Sequence, residues 1–385
     1  MIKTADRLNK ISEYYFSKKL KEIDDLNKEG KNVINLGIGS PDQPPHPDVI
    51  KTLQDESAKP GNHSYQSYRG SPVLRNAMSA WYKKWYNVDL DPETELLPLI
   101  GSKEGTVHIC MTYLNPGDKV LVPNPGYPAY RSAVYLTGAD CIDYNLTEEN
   151  NWFPDFELLE STDLTGVKMM WINYPQMPTG QLPTKELFEK IIAFGMKHKI
   201  LICSDNPYSF ILNDIPLSIL SVEGAKETAI ELNSLSKSHN MAGWRVGLLA
   251  GKAQYVNDVL RFKSNMDSGM FLPVQLAAAK ALSLPAEWYA EVNKVYLSRR
   301  EKVFELLAGL NCSFSKFQAG MFIWAKLDDK ETDCYSYVDK ILNSASVFIT
   351  PGGIFGSAGN RYIRISLCSP IEKIDEAIKR IGGLK

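Results

Sequence analysis

The chain has 385 residues and nearly balanced charge, with 43 Lys and Arg against 45 Asp and Glu and a formal net charge of −2. Its 44% hydrophobic and 23% charged residues are typical of a soluble globular protein and exclude a disordered chain. The length permits one large buried core and a smaller second one. Nucleic acid is not an expected partner, because its phosphates attract clustered Lys and Arg, and this chain has no basic block.

No stretch of the sequence approaches the roughly 18 consecutive apolar residues of a membrane helix, so no membrane partner is expected. The first residues are polar and lack the apolar core of a secretory signal. The six cysteines are scattered without a C-x-x-C pair, which favours reduced thiols in a cytoplasmic protein over disulfides or a zinc site. No two of the five histidines lie three or four residues apart, so no metal site is predicted.

In chain order, an amphipathic helix and the segment VINLGIGSPDQPPHP come first. Between about residue 95 and residue 250, short apolar strands such as VKMMWI and ILIC alternate with amphipathic helices. Near-continuous apolar strands separated by helices are typical of a mostly parallel sheet with helices on both faces. The pattern predicts a large α/β domain, and ligands of such sheets bind beyond the carboxyl ends of the strands.

The last third of the chain has a different pattern. Helices are predicted from about Ala286 to Ala308, near Asp333–Asn343 and from about Ile371, with the segments AGMFIWAKL, ASVFITPGG and RYIRISL between them. This alternation favours a smaller α+β domain, which the N-terminal segment is expected to join. The predicted division is residues 47–275 for the large domain, and residues 1–46 with 276–385 for the small one.

The segment SLSKSHNMAGWRVG, residues 234–247, places a lysine at the end of an apolar strand, where lysine is unusual. Ser234 and Ser236 flank Lys237, and Arg245 follows in a glycine-containing loop. Hydroxyls, backbone amides and one arginine are the donors that a phosphate dianion needs. A lysine beside a phosphate suggests pyridoxal phosphate, a cofactor that bonds to lysine covalently. The alternative is a solvated loop after a strand, and this segment alone leaves both open.

A second strand, ILICSD, ends at Asp205, with Tyr208 three residues later. A carboxylate in this place can keep a pyridine nitrogen protonated, which makes the ring an electron sink. The tyrosine hydroxyl can donate a hydrogen bond to a phenolate oxygen. The alternatives are a helix N-cap for Asp205 and a core position for Tyr208.

Two earlier strand ends add further candidates. The turn in LIGSKEGTVHI places the backbone amides of Ser102, Lys103 and Glu104 at the start of a helix, where they can bind a phosphate. In NPGYPAY, Tyr127 follows a strand among prolines, and its ring can stack on a planar cofactor. Taken singly, the turn is a weak signal because most strand-to-helix turns look similar, and core packing is the better explanation of Tyr127.

Together these strand ends resemble one family. The chain resembles the class I and II aminotransferases among the fold type I pyridoxal-phosphate enzymes, and within them the branch of LL-diaminopimelate, alanine and aspartate-type aminotransferases. The motifs that carry the resemblance are LGIGSPD, YQSYRGSPVLR, GSKEG, PGDKVLVPNPGYPAY, NYPQMPTG, SDNPYS, SLSKSHNMAGWRVG, AGMFIW, PGGIFG and YIRIS. The resemblance implies a seven-stranded, mostly parallel sheet in the large domain.

The resemblance also implies roles for individual residues. Lys237 would form the internal aldimine with pyridoxal 5′-phosphate and then move a proton between substrate and cofactor. Asp205 would pair with the pyridinium nitrogen, and Tyr208 would donate to the ring oxygen. The remaining cofactor contacts would come from Tyr127 on the ring face, and from Ser102, Lys103, Glu104, Ser234, Ser236 and Arg245 around the phosphate.

Three further residues extend the implied site. Arg364 in YIRIS would bind the substrate α-carboxylate through its guanidinium fork, and the backbone of Gly39 would meet the same carboxylate. Tyr65 in YQSYRG would reach the phosphate in a neighbouring subunit, which implies a homodimer. The N-terminal segment and the small domain would close over the substrate and exclude water.

The sequence departs from the family at one position. The family reads N-P-T-G where this chain has M-P-T-G, so that Met177 replaces the asparagine that donates to the ring oxygen. A thioether has no proton to donate. Asn173, four residues earlier, is an alternative donor, and the sequence does not decide between a lost and a replaced hydrogen bond.

The sequence therefore predicts an aminotransferase that moves an amino group from an L-amino acid to a 2-oxo acid in a ping-pong cycle. The alternatives are a carbon–sulfur or other β-lyase of the same fold, and a non-catalytic regulator that binds the cofactor. The substrate is left open. An acidic donor needs a second cation, for which Arg69, Arg131 and Lys103 are candidates, whereas an apolar donor can contact Tyr14, Tyr15 or Phe16. For these three aromatic residues, the pattern favours the alternative of an amphipathic helix that packs on the small domain.

Overall fold

The computed structural model describes residues 2–11, 13 and 15–383. Most of the chain belongs to one large sheet with its flanking helices, and the remainder to two small sheets. The helices are α1 (Tyr15–Lys28), α2 (Pro47–Ser57), α3 (Pro72–Tyr86), α4 (Ser102–Tyr113), α5 (Pro128–Leu136), α6 (Phe156–Ser161), α7 (Lys185–His198), α8 (Ala225–Thr228), α9 (Leu235–Ser238), α10 (Ala253–Lys263), α11 (Leu272–Leu282), α12 (Ala286–Gly309), α13 (Cys334–Ala345) and α14 (Ile371–Gly382). None of these described helices combines the length and apolar character that crossing a bilayer requires.

The large sheet has seven strands and confirms the predicted α/β class. The strands of the chain are β1 (Ile34–Asn35), β2 (Leu96–Leu99), β3 (Lys119–Asn124), β4 (Asp140–Asn145), β5 (Val167–Asn173), β6 (Leu201–Asp205), β7 (Ala229–Ser234), β8 (Gly247–Gly251), β9 (Phe322–Lys326), β10 (Val347–Phe348), β11 (Thr350–Pro351) and β12 (Tyr362–Ser366). The large sheet has the order β2-β8-β7-β6-β5-β3-β4, and only β8 runs antiparallel to its neighbours. The inner strands are buried on both faces, which explains their continuous apolar sequences.

The second part of the fold contains the antiparallel sheet β11-β12-β9 and the parallel pair β1–β10. Apolar side chains of α12, α13, α14 and these strands form a core that is distinct from the core of the large sheet. The predicted boundary between residues 275 and 276 falls inside α11, which packs with α2 and α3. The division into two domains stays a prediction.

The parallel strands end at the same edge of the large sheet. β5, β6 and β7 end at Asn173, Asp205 and Ser234, and the N-terminus of α4 follows β2 at this edge. The second core and α1 lie opposite this edge, and their side chains line the same cavity. The polar residues predicted at strand ends therefore face a crevice between two packed units.

Candidate active site

The crevice contains a cavity of about 620 Å³. Side chains from both ends of the chain and from every strand end discussed above line it. Of the residues predicted from the sequence, the cavity brings together Gly39, Ser102, Lys103, Tyr127, Asn173, Asp205, Tyr208, Ser234, Ser236, Lys237, Arg245 and Arg364.

Lys237 lies on the short helix α9 directly after β7. Its Nζ donates a hydrogen bond of 2.5 Å to the carbonyl oxygen of Gly39, which joins the strand end to the N-terminal segment. Burial lowers the pKa of the Lys237 ammonium, and repulsion from Arg364 and Arg245 lowers it further. The structure thus brings this amine closer to the neutral, nucleophilic form than an exposed lysine.

Asp205 ends β6 and is buried. Its Oδ2 accepts a hydrogen bond of 2.7 Å from the hydroxyl of Tyr130, whereas its Oδ1 is buried without a hydrogen-bond partner among the described residues. Burial raises the pKa of the carboxyl to about 6, although the Tyr130 bond opposes that shift. A buried acceptor atom of this kind calls for a donor from a ligand.

Tyr130 is a site residue that the sequence analysis missed. Its ring lines the cavity and stacks on Trp171, with centroids 4.8 Å apart. It lies in the same NPGYPAY motif as Tyr127, one helical turn later on α5, and the spacing of three residues was the available signal. Because the two rings meet edge to face at 5.5 Å, both tyrosines belong to one wall of the cavity.

Asn173 supports the same strand end. Its side-chain Nδ2 donates to the backbone oxygen of Asp205 at 2.6 Å, and its Oδ1 accepts from the backbone amide of Met177 at 2.8 Å. The amide group therefore connects β5, β6 and the loop that carries Met177.

An anion cradle lies at the other end of the cavity. Ser102 is the first residue of α4, and the backbone amides there point out of the helix N-terminus. A Cβ at Gly247 would lie 2.5 Å from the amide nitrogen of Ser102, and one at Gly101 would lie 2.0 Å from Nη2 of Arg245. Glycine at both positions therefore leaves room for the cradle.

Serine residues extend this cradle from the β7 side. The Ser234 hydroxyl accepts from the amide of Ser236 at 3.1 Å and so caps α9. Arg245 adopts a left-handed backbone conformation, with φ of 58°, and its Nη1 donates to the carbonyl of Ala242 at 2.8 Å. A guanidinium, helix amides and serine hydroxyls thus surround one corner of the cavity.

Two predicted cofactor residues do not line this cavity. The carboxylate of Glu104 accepts from the backbone amide of Ile100 at 2.7 Å and lies 3.7 Å from Nε2 of His108, so its side chain stabilises the turn before α4. Tyr65 is 89% exposed, in a segment on the outside of the chain. Only the backbone amide of Glu104, at the helix N-terminus, stays a candidate phosphate contact.

Arg364 projects from β12 into the cavity and is 4% exposed. Its Nη2 donates to the carbonyl of Gly37 at 2.8 Å, and its Nη1 donates to Sδ of Met177 at 3.3 Å. The guanidinium carbon lies 3.7 Å from the ring centroid of Phe322 and 4.7 Å from that of Phe355. The sequence analysis missed these two phenylalanines, although each lies within a quoted motif, AGMFIW and PGGIFG.

The glycine at position 39 has a steric role. A Cβ there would lie 2.1 Å from the ring of Phe322, so any side chain would push that ring away from Arg364. The ring of Tyr208 meets Phe322 edge to face at 5.9 Å. These contacts place the N-terminal segment, the turn after β6 and strand β9 around one point of the cavity.

Of the residues considered for recognition of the substrate side chain, some line the cavity and others do not. Arg69 donates to the carbonyl of Glu93 and to Asn257, and Arg131 pairs with Asp143, so neither lines the cavity. Lys103 and Phe16 do line it. Tyr15 packs edge to face on Tyr335, and Tyr14 lies outside the described residues.

Comparisons with known proteins identify the family of the chain. The family described as aminotransferase class I and II matches residues 31–381. The chain is 39% identical to the LL-diaminopimelate aminotransferase of Dehalococcoides mccartyi (100% of this chain, 99% of that protein) and 40% identical to that of Moorella thermoacetica (98% and 97%).

Among solved structures, the substrate-bound BacF structure from Bacillus subtilis matches with a TM-score of 0.95 and 35% identity, over 100% of this chain and 98% of that one. Two kinds of comparison, sequence and fold, therefore lead to the same group of enzymes. The chain belongs to the class I and II aminotransferase family, whose members depend on pyridoxal phosphate.

Proposed function

We propose that the chain binds pyridoxal 5′-phosphate in this cavity and attaches it covalently through Nζ of Lys237. The observation that carries the proposal is the orphaned, buried Oδ1 of Asp205, which fits a protonated pyridine nitrogen. The lowered pKa of Lys237 would favour the neutral amine that covalent attachment of the cofactor needs. Tyr208 and Tyr127 are the proposed contacts of the ring oxygen and the ring face.

The anion cradle supports the same proposal. The amides at the start of α4, the hydroxyls of Ser234 and Ser236 and the guanidinium of Arg245 offer a phosphate several donors at a helix N-terminus. Two glycines keep this corner open, because a Cβ at Gly101 or Gly247 would contact the donors themselves. We assign the cofactor phosphate to this corner.

Each step of the proposed reaction is assigned to particular residues of the chain. When bound, the cofactor supplies an electron sink that makes the α-proton of the amino acid acidic. Arg364 binds the α-carboxylate and fixes the orientation of the substrate, with the backbone of Gly39 beside it. Lys237 Nζ would take the α-proton of the substrate as general base and would return it to the cofactor side as general acid. The 2-oxo acid product leaves before the acceptor enters, which makes the cycle ping-pong.

We also propose that the chain acts as a homodimer in which Tyr65 reaches the phosphate of the partner. Tyr65 is 89% exposed, and the segment that carries it lies beside a second exposed apolar segment. The ring of His63 lies 5.7 Å from that of Phe271, and a Cβ at Gly269 would touch the carbonyl of Gln66. Apolar patches of this kind on a surface are typical of protein interfaces.

All six cysteines are free, and five of them are buried. Unpaired thiols persist in reducing compartments, and we therefore propose a cytoplasmic location.

The similarity to LL-diaminopimelate aminotransferases favours LL-diaminopimelate as the amino donor, and transamination of this compound is the second candidate function. LL-Diaminopimelate carries an ammonium and a carboxylate at each end of the molecule. The same Lys237 and Arg364 chemistry applies to it.

The test of the proposed function is a labelling experiment on purified protein. Pyridoxal phosphate is added, the protein is reduced with borohydride, and peptides are analysed by mass spectrometry. The cofactor mass is expected on the peptide that contains Lys237, and a Lys237→Ala variant should carry none and lose at least about 100-fold in transamination rate. A label on another lysine, or full activity of Lys237→Ala, would overturn the assignment. Lys252, an exposed ion-paired lysine, serves as the Lys252→Ala control.

A further inference from the structure

The segment between strand β1 and helix α2, residues 36–46, belongs to no helix or strand. Two of its residues, Ile38 and Gly39, line the cavity. Because the segment is not part of a regular ladder of hydrogen bonds, its position depends on individual contacts with its neighbours. The contacts on either side of Gly39 therefore determine where this glycine lies.

Before Gly39, the segment is held by the two strands β11 and β12. The carbonyl oxygen of Leu36 accepts from the backbone amide of Ser366 at 2.7 Å. The carbonyl oxygen of Gly37 accepts from Oγ1 of Thr350 at 3.0 Å and from Nη2 of Arg364 at 2.8 Å. One of these four contacts thus comes from the proposed carboxylate-binding guanidinium, and the others come from the chain around it.

After Gly39, the segment is held by a buried arginine of α12. Nη1 and Nη2 of Arg299 donate to Oδ1 and Oδ2 of Asp42 at 2.7 Å and 2.8 Å, which makes the ion pair bidentate. Arg299 is only 4% exposed, and a guanidinium that is removed from water needs a carboxylate of this kind. Gly39 therefore lies between two fixed points of the segment.

The same guanidinium also holds the end of β12. Nη1 of Arg299 donates to the carbonyl oxygen of Leu367 at 3.0 Å. Leu367 directly follows β12 and comes three residues after Arg364. One planar group thus connects the segment that carries Gly39 with the strand that carries Arg364, and the point charge of a lysine cannot reproduce this fork of donors.

We propose that Arg299 is a positioning residue for the site of the substrate α-carboxylate. Arg299 itself does not line the cavity, and it acts through Asp42 and Leu367. Its contacts fix the backbone at Gly39 relative to the guanidinium of Arg364, and these are the two groups assigned to that carboxylate under the proposed function. The inference rests on the proposed function and deepens it.

Binding of an unreactive carboxylate tests the inference without relying on turnover. Protein loaded with pyridoxal phosphate is titrated by calorimetry with propionate. Arg299→Lys keeps the positive charge, and Asp42→Asn keeps the shape of a partly exposed side chain. Each variant should weaken propionate binding by about tenfold, because a displaced backbone at Gly39 no longer matches a carboxylate held by Arg364.

A role in stability alone would lower the urea midpoint of these variants and leave the propionate Kd of the folded protein unchanged. The Kd for pyridoxal phosphate should change by less than about twofold, since the phosphate corner and Asp205 are not touched. Unchanged propionate binding in Asp42→Asn and Arg299→Lys would overturn the inference.

A double variant and a control on the same helix sharpen the test. Asp42→Asn combined with Arg299→Lys should weaken propionate about as much as Arg299→Lys alone, because both changes break the same ion pair. Effects that multiply to about a hundredfold would contradict a shared contact. Asp375→Asn breaks the 3.0 Å pair between Asp375 and Lys302 of α12, and it should leave propionate binding unchanged.

Arg364→Lys makes the failure of this inference distinguishable from the failure of the proposed function. Weaker propionate binding in Arg364→Lys, together with unchanged binding in Asp42→Asn and Arg299→Lys, contradicts the role of Arg299 alone. A wild type that does not bind propionate, or whose affinity is unchanged by Arg364→Lys, contradicts the proposed carboxylate site and the inference with it. Protein that binds no pyridoxal phosphate contradicts the proposed function as a whole.

Discussion

Nη1 of Arg364 lies 3.3 Å from Sδ of Met177, so a thioether is a neighbour of the guanidinium that we propose as the substrate carboxylate site. Sulfur in a thioether is a weak acceptor and never a donor. Met177 is 5% exposed and lines the cavity, and its backbone amide is held by Oδ1 of Asn173. The departure from the family motif is therefore located at the centre of the site.

This contact leads to a spectroscopic prediction. In the proposed site Tyr208 is the donor to the ring oxygen of the cofactor, and Met177→Asn would add a second donor. With one donor fewer, the ring oxygen in the wild type would be more basic and would hold the neighbouring proton more tightly. The pH midpoint of the cofactor's visible absorbance should therefore be lower in Met177→Asn, by about one pH unit.

Met177→Leu is the matched control for this titration. It conserves volume and offers no donor, so its midpoint should stay close to that of the wild type. An unchanged or higher midpoint in Met177→Asn would show that Asn173 or another group already supplies the donor.

The hydrogen bond from Tyr130 to Asp205 predicts how the affinity for the cofactor depends on pH. Asp205 must be ionised to pair with a protonated ring nitrogen, so affinity falls as the pH drops through its pKa of about 6. The Tyr130 hydroxyl lowers that pKa, and Tyr130→Phe removes the hydroxyl but keeps the stacked ring. The loss of affinity should begin about one pH unit higher in the variant, measured as the Kd for pyridoxal phosphate between pH 5 and 8.

Tyr144→Phe controls for the loss of a buried hydroxyl, because that hydroxyl donates to the carbonyl of Trp171 and not to Asp205. Its affinity profile should follow the wild type. Parallel profiles for all three proteins would refute the coupling between Tyr130 and Asp205.

A second buried carboxyl predicts how stability varies with pH. Glu231 on β7 is fully buried and accepts from Tyr82, Ser218 and Ile219, yet burial raises its pKa from 4.5 to about 7. Between these values the folded state holds a proton that the unfolded state has lost, so stability falls as the pH rises.

The free energy of unfolding should therefore decrease by up to about 3 kcal/mol across this interval because of Glu231. Gln at position 231 cannot titrate. In urea unfolding, the free energy of unfolding of Glu231→Gln minus that of the wild type should therefore increase from pH 5 to pH 8. The exposed Glu157→Gln should follow the wild type at every pH. A pH-independent difference between Glu231→Gln and the wild type would contradict the raised pKa.

The exposed apolar segments predict the effect of a surface charge. Met266 is 62% exposed and lies in the segment that neighbours Tyr65 through Gly269 and Gln66. Met266→Asp places a charge in the proposed interface, which should lower the dimer mass measured by light scattering toward that of the monomer. Leu158→Asp on α6 should leave the mass unchanged. A monomeric wild type at micromolar concentration would refute the proposed dimer.

Local sequence patterns were sufficient to predict many of the helices and strands of the fold. The long helix expected from Ala286 to Ala308 is observed as Ala286–Gly309, and the last helix begins at Ile371 as predicted. The apolar strands were readable because a sheet covered on both faces needs continuous apolar sequence. Asp205 and Ser234 were placed at the cavity for the same reason, since parallel strands end at one edge.

Side-chain direction was not contained in those patterns. Glu104 lies in the motif that forms the phosphate cradle, but its carboxylate turns back to the amide of Ile100. Tyr130 reaches Asp205 because α5 packs beside β6, a relationship between distant segments that no local spacing specifies. The domain boundary expected after residue 275 lies inside α11 and stays a prediction.

The sequence alone determined the family, since the family motifs depend on residue types at fixed places along single strands and turns. The tertiary structure decided what surrounds the guanidinium of Arg364, because Phe16, Phe322, Met177 and Arg364 meet only when the N-terminal helix, the small sheet and the large sheet pack together. Contacts between segments far apart in the chain depend on that packing, and the apolar side chains around this guanidinium make such contacts.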